Sequence, residues 1–294
     1  MTNAAPAPSL VNSVVNFGRM IKFSHSIFAM PFALAAFFLA TRGQAPELTK
    51  LAWVLVAMVA ARSAAMGFNR WLDADIDAKN PRTATREIPS GVLSNAQVLA
   101  FTVISGVALV VAAWRLNPLC FALSPAALAI IFGYSYTKRF TMLSHFILGV
   151  SLAMAPVGAW LAVRGQFDLT PVPIGVAVMF WVGGFDILYS CQDVDFDRGA
   201  SLHSIPARLG IQHALLLARL AHVLAMASLL LLVFVVPLHW SYLAGMALIA
   251  GLFFYEHSLV RADDLSKIDA AFFTVNGWIG VLYLATVVVS GLLK

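Results

Sequence analysis

Long apolar runs separated by short polar breaks set the rhythm of this chain. Nine runs, at about 23–41, 51–70, 95–114, 117–136, 143–163, 172–192, 211–236, 240–260 and 270–292, are each long enough for a helix to cross a hydrocarbon core of about 30 Å. The pattern predicts an all-α polytopic membrane protein, a nine-transmembrane-helix bundle forming a single domain over residues 1–294. The first run contains Pro31 and is followed by further spans, so it reads as a retained helix rather than a cleaved signal. Ahead of it, PSLVNSVVNFGRMIKF sets Leu10, Val11, Val14, Val15 and Phe17 near helical spacing. Residues 1–20 therefore read either as an interfacial helix or as an irregular tail.

Composition agrees with the pattern. Of 294 residues 61% are hydrophobic and 11% charged, more apolar side chain than one soluble core can bury, so the lipid bilayer is the expected surrounding. Cys120 and Cys191 fall near opposite membrane faces and are not expected to form a disulfide. A net charge of +5 raises the possibility of an acidic partner such as nucleic acid. Orientation explains the charge better. With nine spans, the N-terminal segment and the loops after the second, fourth, sixth and eighth share one side. Of the 19 Lys and Arg, 12 lie there, 5 lie opposite, and Arg62 and Arg219 lie inside spans. An excess of basic residues marks the cytoplasmic face. The N-terminus and these loops are thus expected in the cytoplasm of a bacterial-type inner membrane, with the C-terminus outside and no nucleic-acid partner.

Seven of the 14 acidic residues sit in two short segments: Asp73, Asp75 and Asp77 after the second span, and Asp186, Asp193, Asp195 and Asp197 at the end of the sixth. Both segments reach the same face. Asn69, Asp73 and Asp77 are four apart, as are Tyr189, Asp193 and Asp197, so on a helix each set forms a ladder along one face. Asp75 and Asp195 fall on the other face, toward solvent or a neighbouring loop. Like charges at this spacing destabilise a helix unless a cation sits among them. Oxygen donors without clustered Cys or His favour a hard ion such as Mg²⁺, which shares its shell with substrate phosphates. Two ladders on one side suit two ions flanking one diphosphate; the plainer alternative is two solvated helix ends.

Basic residues accompany both ladders. Lys79, Arg82 and Arg86 follow the first, Arg198, His203 and Arg208 follow the second, and YSYTKRFT between the fourth and fifth spans carries Lys138 and Arg139. A diphosphate leaving group calls for such charge, and arginine adds bidentate geometry. Each is alternatively an anchor to lipid headgroups. Arg62 precedes Asn69 by seven residues and Asp186 precedes Asp193 by seven, which puts both on their ladders' faces about 10 Å deeper. Ionisable groups at that depth mark function by default. Either Arg62 and Asp186 neutralise each other, or Arg62 holds the carboxylate of a small acceptor. Phe68, Trp71, Phe185 and Tyr189 lie beside the ladders. Asn276 reads as a structural polar group, and His145, His213, His222, His239 and His257 share no ligand spacing.

Taken together, these stretches resemble the UbiA superfamily of intramembrane aromatic prenyltransferases. NRWLDADID is similar to that family's Asn-Asp-x-x-Asp-x-x-x-Asp motif, and RTATREIPSG to its Arg-Thr-x-x-Arg-Pro-Leu-Pro-Ser-Gly. YSCQDVDFD, followed by LHSIPARLG, resembles the second motif, and YSYTKRFT the family's Tyr-x-x-x-Lys-Arg-x-Thr. The resemblance spans about residues 18–292. It implies a nine-helix bundle around a central cavity, with two Mg²⁺ ions holding a polyprenyl diphosphate whose prenyl group alkylates an aromatic acceptor. Carried over, Asn69, Asp73 and Asp77 would serve one ion and Asp193 and Asp197 the other. Arg82, Arg86, Lys138, Arg139, Tyr189 and His203 would bind substrate, Arg62 would hold the acceptor's carboxylate, and Asp186 or Asp193 would take the ring proton.

The sequence also departs from the pattern. Arg70 stands where the motif has its first Asp, Glu87 replaces a proline, and His203 replaces a lysine. The branch most similar is the 4-hydroxybenzoate polyprenyltransferase-like one of ubiquinone biosynthesis, some of whose members belong to a menaquinone route and act on naphthoates. Both acceptors are small aromatic carboxylic acids. The alternatives are another acceptor within the superfamily or, from a different class, a membrane transporter. A CDP-alcohol phosphotransferase is excluded because its Asp-Gly-x-x-Ala-Arg stretch is absent.

Overall fold

The computed structural model describes residues 10–21 and 28–293, and these are helical apart from turns and one isolated bridge between Arg261 and Asp264. In chain order the helices are α1 (Leu10–Met20), α2 (Met30–Ala40), α3 (Leu48–Leu72), α4 (Ala74–Asp77), α5 (Asn95–Leu116), α6 (Pro118–Thr137), α7 (Ser144–Arg164), α8 (Pro171–Ser190), α9 (Val194–Gly199), α10 (Ile205–Leu209), α11 (Ile211–Leu231), α12 (Ser241–Leu259) and α13 (Asn276–Leu292). Among the described residues, eight helical stretches are long and apolar enough to cross a membrane, and they match the second to ninth expected spans. The first appears as the shorter α2, and the start expected for it at 23–27 lies outside the described residues. Of the expected N-terminal segment, residues 1–9 also lie outside them, while α1 takes up most of the rest as helix. Both cysteines are free, as the sequence implied.

Local chemistry sets the boundaries. Asn117 turns the chain between α5 and α6 by itself: its backbone is extended, its side-chain oxygen accepts from Cys120 N–H at 2.9 Å, and its amide donates to Leu161 O on α7 at 2.8 Å. Pro118 then occupies the first helical position, where its missing N–H costs nothing. Ser94 and Gln97 form a reciprocal capping box that starts α5. The same end of the bundle as Asn117 carries Arg115 against the rings of Trp53 and Trp114, at 5.5 and 5.9 Å. Aromatic and basic side chains together are the pattern of a membrane–water interface. The acidic ladders leave the bundle at the other end.

Helix α8 is the axis of the structure. It packs on α7 and α11 and touches α2, whereas α3 packs on α5, α6 and α7 in the other half. Of the α8 span, 67% is buried, against 17% of α6, whose apolar side chains face outward. Lipid tails are as apolar as leucine, so close approach and van der Waals contact hold such helices together rather than hydrophobic transfer. Gly149 shows how close: a Cβ there would lie 2.2 Å from the Met179 carbonyl oxygen on α8. Gly149→Ala is expected to destabilise the protein by about 1–3 kcal/mol through overpacking. Gly251→Ala, with open space around it, is expected to leave stability unchanged or raise it slightly. Thermal unfolding in detergent compares the two.

Candidate active site

Each ladder forms where a membrane helix stops. Helix α3 ends at Leu72, and Asp73 departs from helical geometry (φ −95°, ψ 5°) before α4 begins. Helix α8 ends at Ser190, a 3₁₀ turn covers Cys191–Asp193, and Asp193 adopts nearly the same conformation (φ −104°, ψ 9°) before α9. The uninterrupted helices implied by four-residue spacing are thus broken, in both halves, at the middle carboxylate. Aspartate is a weak helix former that competes for backbone groups, and like charges one turn apart repel. In the first ladder the face survives the break, because Asp73 N–H still donates to Asn69 O at 3.0 Å and Asp77 N–H to Asp73 O at 2.8 Å. Asp75 and Asp195 are exposed, as the spacing implied.

Three of the four ladder carboxylates are matched to a basic side chain by direct bonds. Asp73, only 1% exposed, accepts from Lys138 Nζ, from Arg139 Nη2 at 3.3 Å and from Asn69 Nδ2 at 3.1 Å. Arg139 also donates to Leu72 O at 2.9 Å, satisfying a carbonyl at the end of α3. Arg86 Nη1 donates to both oxygens of Asp77, at 2.6 and 2.7 Å, and Thr83 Oγ1 to the Asp77 carbonyl at 3.1 Å. Asp193 receives Arg82 in bidentate fashion, Nε at 2.9 Å and Nη2 at 2.5 Å, with Asn80 Nδ2 at 3.2 Å. The Arg82 guanidinium lies over the Tyr189 ring at 5.4 Å. Burial opposes its charge, but the bonds to Asp193 outweigh that and hold its pKa above the ordinary arginine value.

These bonds join the two ladders. Asn80 and Arg82 belong to the loop after the first, yet they bond the second. The Asp197 carboxylate accepts from Ser204 Oγ at 2.6 Å, the same hydroxyl that caps α10, and it lies within electrostatic reach of Lys138 and Asp193. Lys138 accepts His203 N–H on its carbonyl at 2.7 Å while its ammonium bonds Asp73, so it ties the segment after the second ladder to the first. His203 Nδ1 is buried without a hydrogen-bond partner among the described residues. Arg198 turns from the ladder to the Ala207 carbonyl. Arg70, unusual in sequence, is 4% exposed and within electrostatic reach of Asp73, Asp77 and Glu87.

Deeper in the bundle, Asp186 is bonded to His145. Ile205 N–H donates to His145 Nε2 at 3.3 Å, so the imidazole proton resides on Nδ1 and is donated to Asp186 at 2.7 Å. The partner that Asp186 shows is thus a histidine on α7. Phe185 and Tyr189 join Phe28, Trp181 and Phe272 in one aromatic cluster. Phe68 faces instead toward α6, where it contacts Phe132 and Tyr136, and Trp71 packs on the cluster of Met20, Ile21, Leu93 and Val98.

Asn80, Thr83, Ser204 and His145 escaped the sequence reading. For Asn80 a trace existed: it precedes Pro81, and its side chain accepts Arg82 N–H at 2.9 Å in a turn of the kind Asn favours. His145 leaves no local trace, since its partner lies 41 residues away.

A polytopic helical bundle thus gathers two sets of buried and half-buried oxygen donors, balanced by lysine and arginine, at one end. The profile of the UbiA prenyltransferase family matches residues 29–279, and the chain belongs to that family. It is a multi-pass membrane prenyltransferase. A 4-hydroxybenzoate octaprenyltransferase of Tolumonas auensis is 30% identical over 258 residues, covering 87% of this chain and 89% of the relative. The apo structure of a UbiA homologue from Aeropyrum pernix K1 matches with TM-score 0.82 and 31% identity over 90% of this chain and 97% of the other. A UbiA homologue from Archaeoglobus fulgidus bound to DMAPP and Mg²⁺ shares the fold at TM-score 0.69 and 19% identity, over 95% and 100%.

Pairing of the carboxylates is testable without substrate. A double-mutant cycle of Arg86→Gln and Asp77→Asn, read by thermal unfolding in metal-free detergent, is expected to give a coupling energy of about 0.5–3 kcal/mol. Additive losses would show that the pair contributes no net stability.

Proposed function

We propose that this protein transfers a polyprenyl group from a polyprenyl diphosphate to a small carboxylated aromatic acceptor, 4-hydroxybenzoate or a related naphthoate, in a Mg²⁺-dependent step of quinone biosynthesis. One observation carries the reading: two acidic ladders, each kinked at its middle aspartate, are drawn together by Asn80 and Arg82. The name of the Tolumonas auensis relative and the ligands of the Archaeoglobus fulgidus homologue point the same way. The excess of basic residues at the ladder end favours a cytoplasmic site, with the C-terminus outside.

The donors present fit magnesium. Asn69, Asp73 and Asp77 would hold one ion, and Asp193 and Asp197 the other, through oxygen alone. Magnesium, when bound, would neutralise diphosphate oxygens and make the diphosphate a better leaving group. Each ladder carboxylate has a cation or hydroxyl partner, so a bound ion would take over charge balance that Lys and Arg supply. Released from those carboxylates, Lys138, Arg139, Arg82 and Arg86 are placed to face the diphosphate, with His203 beside Lys138.

The allylic C–O bond breaks with its electron pair leaving on the diphosphate, a ring carbon of the acceptor forms the new C–C bond, and the ring proton passes to a carboxylate. Tyr189 and Phe185 present ring faces that favour the positive charge left on carbon and keep water away. Arg62, on the face of the first ladder and deeper in the bundle, holds the acceptor carboxylate. Asp186 is better placed than Asp193 to take the proton. Its second oxygen is not engaged by His145, whereas Arg82 occupies both oxygens of Asp193.

Asp73→Ala or Asp193→Ala is expected to abolish Mg²⁺-dependent diphosphate release from a polyprenyl diphosphate, and unchanged turnover in both would sink the reading. Mg²⁺-independent uptake by reconstituted protein would favour a transporter instead. Arg62→Ala is expected to raise KM for the carboxylated acceptor far more than for the prenyl donor, checked by steady-state kinetics with each substrate varied. Mass analysis of products from a panel of hydroxybenzoates and naphthoates identifies the acceptor.

A further inference from the structure

We propose that His222, Glu256 and His257 form a second metal site, for a divalent transition metal of the Zn²⁺ type, separate from the acidic ladders. His222 lies on α11, and Glu256 and His257 near the end of α12. One ligand atom from each lies within 4.8 Å of the other two. His222 Nδ1 is 3.0 Å from His257 Nε2 and 3.4 Å from Glu256 Oε2. Four-coordinate zinc holds nitrogen and oxygen at about 2.0–2.1 Å, which sets neighbouring ligand atoms about 3.3 Å apart. Two edges of such a site are therefore near coordination length.

The surroundings decide which atoms face its centre. His222 Nε2 lies 3.2 Å from the Trp181 carbonyl, which only accepts, so Nε2 carries the proton and Nδ1 turns its lone pair toward His257 and Glu256. A metal-binding histidine characteristically donates its other N–H in this way. Glu256 is fully buried. Its Oε1 accepts from Asn276 Nδ2 at 2.7 Å, while Oε2 is buried without a hydrogen-bond partner among the described residues. A cation at the centre satisfies that oxygen. His222 is held in place by Gly184, where a Cβ would lie 2.4 Å from the imidazole. His257 is the half-buried member and gives an ion a way in.

Two imidazoles and one carboxylate select a borderline ion over Mg²⁺. The site also has a structural consequence. Asn276, which positions Glu256, accepts from Trp181 Nε1 at 2.5 Å, and Trp181 contacts Phe32 and Phe185 in the aromatic cluster. The ion would tie α11 to α12 and, through Asn276 and Trp181, position that aromatic wall; these are positioning residues, distinct from those of the transfer reaction.

The test uses Co²⁺ as a visible probe on the full chain in detergent, stripped with chelator and held in excess Mg²⁺ to cover the ladders. One Co²⁺ per chain with the intense absorption of a four-coordinate ion is expected, retained in Asp73→Asn and lost in His257→Gln and Glu256→Gln. Thermal unfolding of the metal-free variants confirms that they remain folded. Absence of the absorption in the wild type, its persistence in either folded ligand variant, or its loss in Asp73→Asn would overturn the proposal. The last outcome would place the ion in the ladders.

Discussion

Charge balance at the end of a membrane bundle is the constraint on which this structure turns. A carboxylate cannot be left bare where water is scarce: removing one partner of a buried pair costs about 3–5 kcal/mol, comparable to much of a domain's stability. Asp73 and Asp77 are nearly inaccessible, and each is met by a cation. The cations arrive from loops and helix ends distant in sequence, so satisfying the charge also fixes the loops. Arg82 closes the first loop onto Asp193, and Lys138 ties the α6–α7 connection to Asp73.

The same balance explains why the two halves look alike at one point. Each ladder must turn several oxygens inward from the end of a transmembrane helix, and an ideal helix would stack them as repelling neighbours. Kinking at Asp73 and at Asp193 resolves the conflict in nearly identical backbone conformations. One half then relies on basic side chains for both carboxylates, while in the other a hydroxyl, Ser204, serves Asp197. Lys138, whose ammonium bonds Asp73 and whose carbonyl accepts from His203 beyond the second ladder, is a point of coupling between the halves.

Much of this was legible in the sequence because hydropathy and spacing are local quantities. Apolar runs gave the spans, and four-residue spacing gave the ladders and the outward aspartates, Asp75 and Asp195. What spacing cannot carry is partner choice across the bundle. Arg62 and Asp186 share a depth, which made them natural counter-ions, yet Asp186 is claimed by His145 from the start of α7. Nothing in the residues around position 145 distinguishes it from a packed histidine. His222 and His257 were passed over for the same reason: they stand on different helices 35 residues apart and meet only when α11 and α12 pack. Their spacing carries no ligand pattern because tertiary packing, not helical period, creates it.

The cations that balance the ladders are also those that suit a diphosphate, and this overlap limits how binding can proceed. A diphosphate arriving without metal would pull Arg82, Arg86 and Lys138 from carboxylates that then face each other unpaired. Metal arriving without diphosphate would add positive charge to ladders already neutralised. Either species alone meets an electrostatic penalty that the other removes, so the two are expected to bind with mutual reinforcement, each raising the other's affinity by the same factor. The loop carrying Asn80 and Arg82 is the element whose bonds to the second ladder such binding would break. Its anchors to Asp193 are side-chain bonds at the rim of the bundle, so it can release without disturbing the packing of α3 against α5 or of α8 against α7 and α11. Packed helices thus hold the oxygen donors, and polar side-chain bonds from Asn80 and Arg82 hold the loop across them.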